Sequence, residues 1–258
     1  MLPSPAARSF FLQRLTAHRH FWRSSALGSV LEPVLFLAAM GLTLGSLVDR
    51  GPGLPGGVGY LSFLAPGLLV AAAMQTATGE SSYPVLGAIK WDRIYEAVLA
   101  TPARAADLVT GHLLHVAFRV TTSAAAFLVV LVAFGAAESP LVVLALPVAL
   151  LTGLAFAAPV TAMAARLEED AAFAALQRFL VVPLFLFSGT FFPVTQLPVA
   201  LEWSAYATPL WHGVTLARDL ALGTVDGGAA LLHTGYLALW VAAGTWLATR
   251  AMQRRMVR

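Results

Sequence analysis

Apolar runs of nearly membrane-spanning length recur along this chain, separated by short polar or proline-broken segments, and this spacing constrains the fold more than any motif. The runs 26–48, 60–82, 108–134, 141–165, 173–190 and 229–249 each approach the ~20 apolar residues that a helix needs to cross roughly 30 Å of hydrocarbon. In hydrocarbon a backbone must satisfy its own N–H and C=O groups, so such runs are expected as α-helices. The expected fold is an all-α integral membrane protein with six transmembrane helices in one domain spanning residues 1–258. Composition agrees, since 59% of the 258 residues are apolar and 11% are charged, against roughly a quarter charged in soluble domains. The absence of cysteine excludes disulfides, a thiolate nucleophile and Cys-ligated metal. A net charge of +3 could suit nucleic acid, but no polar segment is large enough to form such a site. No nucleic-acid partner is expected, and the basic residues read as topology determinants.

The segments between the runs have their own patterns. Residues 1–25 place Phe10, Phe11, Leu15, His18, Phe21 and Trp22 on one helical face and Arg8, Arg14, Arg19 and Arg23 largely on the other, which predicts an interfacial helix on the membrane surface. A cleaved signal peptide is not expected, because the basic region is long and a span-length run follows it. Residues 49–59 form a Gly/Pro loop. The most charged island, 88–107, holds Lys90, the only lysine; Trp91, Ile94, Tyr95, Val98 and Leu99 make one helical stripe, with Lys90, Asp92, Arg93 and Glu96 on the other side. This predicts a short amphipathic helix, closed by Thr101-Pro102, which can also open the next helix. Pro147 and Pro159 are expected to interrupt the fourth run, and the acids of Arg166–Asp170 to cap the fifth. Residues 191–219 are apolar yet broken by Pro193, Pro198 and Pro209. Irregular backbone at membrane depth must be buried in protein or line a cavity, so this segment is expected to form a re-entrant pair of short helices, with Trp203, Tyr206 and Trp211 at the interface.

Counting Lys and Arg outside the runs gives orientation. One side collects Arg8, Arg14, Arg19, Arg23, Lys90, Arg93, Arg104, Arg166, Arg250, Arg254, Arg255 and Arg258, the other only Arg50 and Arg218. The positive-inside rule then places both termini, the 88–107 loop and the 166–170 turn in the cytoplasm and the 191–219 segment outside.

Several strings, in order over nearly the whole chain, carry a family resemblance: LEPVLFLAAMGLTLGSLV, FLAPGLL, YEAVLATPARAADLVTGHLL and SGTFFPVTQLPVALEWSAYATPLWHGVTLAR. Together they resemble the membrane subunit of ABC-2 type exporters, in particular the permeases of lipo-oligosaccharide (nodulation-factor) export and, next, of daunorubicin-type drug export. The resemblance implies a six-span permease of the bacterial inner membrane, dimerising with a second, identical permease protomer. It also implies a separate cytoplasmic ATPase, in two copies, which binds ATP and Mg. In that family the N-terminal interfacial helix and first cytoplasmic loop dock the ATPase, and the loop helix is the coupling helix. Carried onto this sequence, the coupling positions are Lys90, Trp91, Arg93, Tyr95, Glu96 and Leu99, and the outer hairpin spans Phe191, Phe192, Pro193, Trp203, Tyr206 and Pro209.

The residues support the same division of labour. A P-loop needs G-x-x-x-x-G-K-[ST], and Lys90 follows Ala88-Ile89 rather than a Gly-rich loop. No cofactor is expected in this chain, and any ATP drive must come from a partner. Within the runs, His112, His115 and Arg119 fall on one face, and Glu32 and Glu80 are the available carboxylates. This set either lines the translocation path or forms a structural ion pair. Arg178 is expected to snorkel to the surface. His112, His115, His212 and His233 lack metal-site spacing on one element, no nucleophile–base–acid set is visible, and no metal or enzyme activity is expected. A secondary transporter or channel without an ATPase is the alternative, although the broken features cluster after the fifth run with no counterpart in the first half.

Overall fold

The computed structural model describes residues 4–18, 31, 34–50 and 57–256. Glu32, together with Phe21 and Trp22 of the expected interfacial face, lies outside the described residues. In chain order the elements are α1 (Pro5–His18), α2 (34–50, π-helical over Met40–Gly45), α3 (Tyr60–Ser81), α4 (Tyr83–Lys90), α5 (Ile94–Leu99) and α6 (Ala105–Ala133). A 3-10 turn, Pro140–Leu144, leads into α7 (Ala145–Ala164). Then come α8 (Ala171–Phe187, π-helical over Gln177–Val181), α9 (Val199–Tyr206), α10 (Pro209–Leu222) and α11 (Gly227–Met256). No β-strand occurs among the described residues.

Among the described residues four helical stretches are long and apolar enough to cross a membrane: Tyr60–Lys90, Ala105–Ala133, Pro140–Ala164 and Gly227–Met256. They match the second, third, fourth and sixth expected spans. The fifth appears as the shorter apolar helix Ala171–Phe187, and only part of the first is described. The core centres on α3, which packs against α6, α7 and α10, while α7 also packs against α11. Lipid tails are as apolar as leucine, so these helices are held by close fit rather than by escape from water. Accordingly α3 and α7 are both rich in small buried residues, and α7 meets α3 at Gly153, where a Cβ would come 3.3 Å from the Ala73 carbonyl oxygen.

Several local expectations are corrected. The island does not form one helix. α4 carries the chain through Lys90, the backbone breaks at Trp91–Arg93, and α5 is only six residues long. The break is set by Arg93, whose φ of 51° is the one positive value at a non-glycine among the described residues. Thr101-Pro102 does not open the next helix; α6 begins at Ala105, where the Asp107 carboxylate accepts the Arg104 N–H at 2.8 Å. Pro147 and Pro159 do not interrupt the fourth span, since α7 is continuous from Ala145 to Ala164. Pro147 lies in the first turn, where no N–H is needed, and neighbouring helices support the backbone around Pro159. The acids of 166–170 do not cap α8, because Asp170 sits at the cap without a side-chain bond and Glu168 turns instead to Arg255.

The segment after α8 folds into two helices, α9 and α10. Thr208 caps α10 by accepting the Trp211 N–H at 3.3 Å, and Pro209 occupies the first turn. Ser188-Gly189 ends α8, with Gly189 at φ 83°, a conformation that glycine adopts without a Cβ clash.

Candidate functional site

The segments that the charge count assigned to one side meet at one end of the bundle. The Ser4 hydroxyl donates to the Asp107 carboxylate, tying α1 to the start of α6. Lys90 donates to the Glu168 carbonyl. Arg255, near the end of α11, reaches Glu168 with both guanidinium arms, at 3.0 and 3.4 Å, and also donates to the Leu167 carbonyl. At the opposite end, the N–H groups of Glu138 and Ser139 both donate to the Ala221 carbonyl.

On the first of these ends, α1 lies against α6 so closely that a Cβ on Gly111 would come 2.8 Å from the Ala7 carbonyl oxygen and from the Phe10 ring. That fit brings the Phe10 ring edge-on to Tyr95 at 5.6 Å and Phe11 edge-on to Phe118 at 6.5 Å. The six coupling candidates therefore divide. Tyr95 is 1% exposed, turned into the protein beneath α1, and Leu99 is half-buried beside it. Trp91 is 61% exposed, because the break at Arg93 takes it off the expected stripe; its ring rests against Gly87. Lys90, Asp92, Arg93 and Glu96 are exposed around it. Burial pushes the Tyr95 hydroxyl up to about 12, partly opposed by the Arg14 charge, so it remains protonated.

One level deeper, Glu80 near the end of α3 receives two partners from α6. Arg119 donates from Nε at 3.0 Å, and His115 Nε2 lies 3.7 Å from the other carboxylate oxygen. Two of the three residues expected on one α6 face thus converge on one carboxylate. His112, fully buried, turns to the Ser81 hydroxyl at 3.4 Å instead. The arrangement neutralises charge inside a span, as an intramembrane carboxylate and arginine require.

At the other end, Trp203 meets Tyr206 at 6.0 Å and Tyr206 meets Trp211 at 4.7 Å, both edge-on. The Tyr206 hydroxyl donates to Glu202 at 2.7 Å, which raises its pKa above the ordinary phenol value. Phe191 packs on Phe185 at 5.1 Å and on Phe36 at 5.9 Å, and Phe192 lies 6.5 Å from Phe187. Phe36, Phe185, Phe191 and Phe192 line a cavity of about 660 Å3 between α2 and α8, together with Met40, Tyr60, Pro193 and Gln196. Gln196 and the Tyr60 hydroxyl are its polar groups.

Two features escaped the sequence reading. Arg218, counted there as an outer loop charge, is a half-buried residue of α10. Its Nε donates to the Phe63 carbonyl at 3.0 Å, its Nη2 to the Gly189 carbonyl at 2.7 Å, and its guanidinium lies 3.6 Å from the centre of the Phe63 ring. The buried stripe Leu210, Val214, Ala217 and Ala221 was the available signal, since it makes α10 a core helix and puts Arg218 at the edge of the packed face. The second is that His212 and His233, far apart in sequence, face each other at 2.7 Å between Nδ1 atoms. Among the described residues no group of three or more His, Cys, Asp or Glu is placed to hold a metal ion.

Residues 13–222 match the ABC-2 type transporter family. Nodulation protein J of Rhizobium leguminosarum bv. trifolii is 35% identical over 246 residues, covering 92% of this chain and 90% of the relative. Nodulation protein J of Sinorhizobium fredii is 32% identical over 92% of this chain and 90% of the relative. The same protein of Rhizobium meliloti is also 32% identical, with the same coverage. A family match across most of an all-helical chain with four span-length apolar helices among its described residues, and relatives aligned over about nine-tenths of both chains, fix its class: this chain belongs to the ABC-2 type transporter family, as a membrane-embedded transport subunit rather than an enzyme.

Proposed function

We propose that this chain is the permease of an exporter in a bacterial inner membrane, moving an amphipathic solute outward under the drive of a separate cytoplasmic ATPase. The observation that carries the reading is the split of the 88–107 loop, with Tyr95 locked beneath α1 while Trp91, Lys90, Asp92, Arg93 and Glu96 stand exposed beyond the apolar spans. An exposed tryptophan ringed by charges of both signs is the composition of a protein-docking anchor. The ATPase, which binds ATP and Mg, grips that face, in two copies serving two identical permease protomers. Its closure moves α4 and α5, and through Phe10, Tyr95 and the Ser4–Asp107 bond the motion reaches α1 and α6. Both chain termini lie in the cytoplasm, and the α9–α10 hairpin lies outside.

The similarity to Nodulation protein J points to a glycolipid or lipo-oligosaccharide as solute, with a hydrophobic drug as the other member of the class. Its apolar part fits the aromatic cavity between α2 and α8. The Glu80–His115–Arg119 cluster keeps the cytoplasmic half of α3 and α6 together while the outer half moves.

The test is co-purification of the chain with a candidate ATPase, followed by ATP turnover in liposomes with and without lipo-oligosaccharide. Complex formation and solute-stimulated turnover are expected. Transport under an ion gradient with no ATPase bound would overturn the reading.

A further inference from the structure

His212 on α10 and His233 on α11 are both buried, and their Nδ1 atoms are 2.7 Å apart. At that distance the two nitrogens share one proton, so one ring donates and the other accepts. Tyr236 stacks on His212 at 3.9 Å with the planes 22° apart, and Trp211 meets both rings edge-on, at 4.9 and 5.3 Å. The Tyr236 hydroxyl is itself committed, donating to the Ala207 carbonyl at 2.6 Å. The start of α10 is thus joined to α11 by the imidazole pair and the rings around it, and the turn before it by the Tyr236–Ala207 bond.

We infer that this pair is a proton-operated latch between the α9–α10 hairpin and the last span. Neutral, the pair is joined by one N–H···N bond. One added proton takes the free Nε2 of the donating ring and leaves the N–H···N bond in place. With both rings cationic, two N–H donors and two like charges face each other inside the protein, and the rings must separate. Among the described residues no other charge offsets them. On α9, Glu202 is bonded to Tyr206; on α10, Arg218 holds two carbonyls and Asp219 lies beside it; α7 carries no titratable side chain; on α3, Tyr60 and Glu80 lie at the two ends. On α11 the next ionisable groups are Tyr236 and then Arg250. Acid on the side of the hairpin therefore frees the start of α10 from α11. The inference rests on the reading that this hairpin faces away from the cytoplasm, which makes the external medium the source of the proton.

The test uses the full chain in nanodiscs, without ATPase or solute, so its failure is separable from failure of the exporter reading. The chain has no cysteine, which lets Leu210, fully buried near the start of α10, be replaced by Leu210→Cys as a label site, with exposed Ser204→Cys as the reference for reagent chemistry. The ratio of maleimide labelling at 210 to that at 204 is expected to rise roughly tenfold or more between about pH 7.5 and about pH 4.5, and to stay flat over the same range when His233→Gln is added. Emission of Trp211 in the cysteine-free chain provides a second readout, because a protonated imidazole quenches an adjacent indole. It is expected to fall with acid in the parent, and the fall should vanish in Trp211→Phe and shrink in His233→Gln. A flat labelling ratio in the parent, or a rise and quench that persist in His233→Gln, would overturn the latch.

Discussion

At the scale of single residues, the protein separates side chains that sequence makes look alike. Glu80 and Arg119 are both ionisable groups in apolar runs, and the structure joins them at 3.0 Å with His115 alongside. Removing one partner leaves a charge inside a span. Because both side chains keep some exposure, Glu80→Gln is expected to destabilise by on the order of 2 kcal/mol, below the roughly 3–5 of a fully buried broken pair. A melting curve in detergent checks this, and the double variant Glu80→Gln with Arg119→Gln is expected to recover part of the loss. Tyr95 behaves differently. Its hydroxyl is buried without a hydrogen-bond partner among the described residues, so its worth lies in the ring packed on Phe10. Tyr95→Phe is expected to leave stability unchanged or raise it by about 1 kcal/mol, whereas Tyr95→Ala is expected to cost about 3 kcal/mol or more. The Glu80–Arg119 pair was legible in the sequence because an intramembrane charge demands a partner and few carboxylates were available. Arg218 was not, because its partners are the carbonyls of Phe63 and Gly189, and backbone acceptors leave no mark in a sequence.

At the scale of elements, periodicity located the long helices and missed how the short ones break. The stripe Trp91, Ile94, Tyr95, Val98 and Leu99 has helical spacing, yet the left-handed Arg93 divides it, leaving Trp91 outside and Tyr95 inside. A single residue in that conformation costs only about 1–3 kcal/mol, less than the packing of Tyr95 under α1 returns, so spacing alone could not exclude it. The prolines of α7 make the converse case, since neighbouring helices supply the support that an isolated helix would lack. The seat of α1 depends on Gly111. Gly111→Val would put carbon into the Ala7 carbonyl and the Phe10 ring. It is expected to detach α1, seen as rapid proteolysis after Arg8 or Arg14 in the variant but not in the parent. Arg218→Met is expected to loosen the far end instead, since it frees two carbonyls on α3 and after α8; faster amide exchange around residues 187–192 checks this.

At the scale of the whole molecule, the charge count grouped α1, the 88–107 loop, the 166–170 turn and the C-terminal helix, and these are the segments that the contacts through Asp107, Tyr95, Glu168 and Arg255 bring to one end. The central claim is that this end is where a motor grips. It is tested most directly by measuring binding and ATP turnover of the partner ATPase in liposomes holding either the parent, Trp91→Ala with Arg93→Glu and Glu96→Arg, or Tyr95→Phe. The exposed-face variant is expected to lose ATPase binding and solute-stimulated turnover by roughly a hundredfold while melting like the parent, since truncating an anchor and inverting its rim removes on the order of 3 kcal/mol. Tyr95→Phe is expected to match the parent in both. Undiminished binding and turnover in the exposed-face variant would contradict the claim.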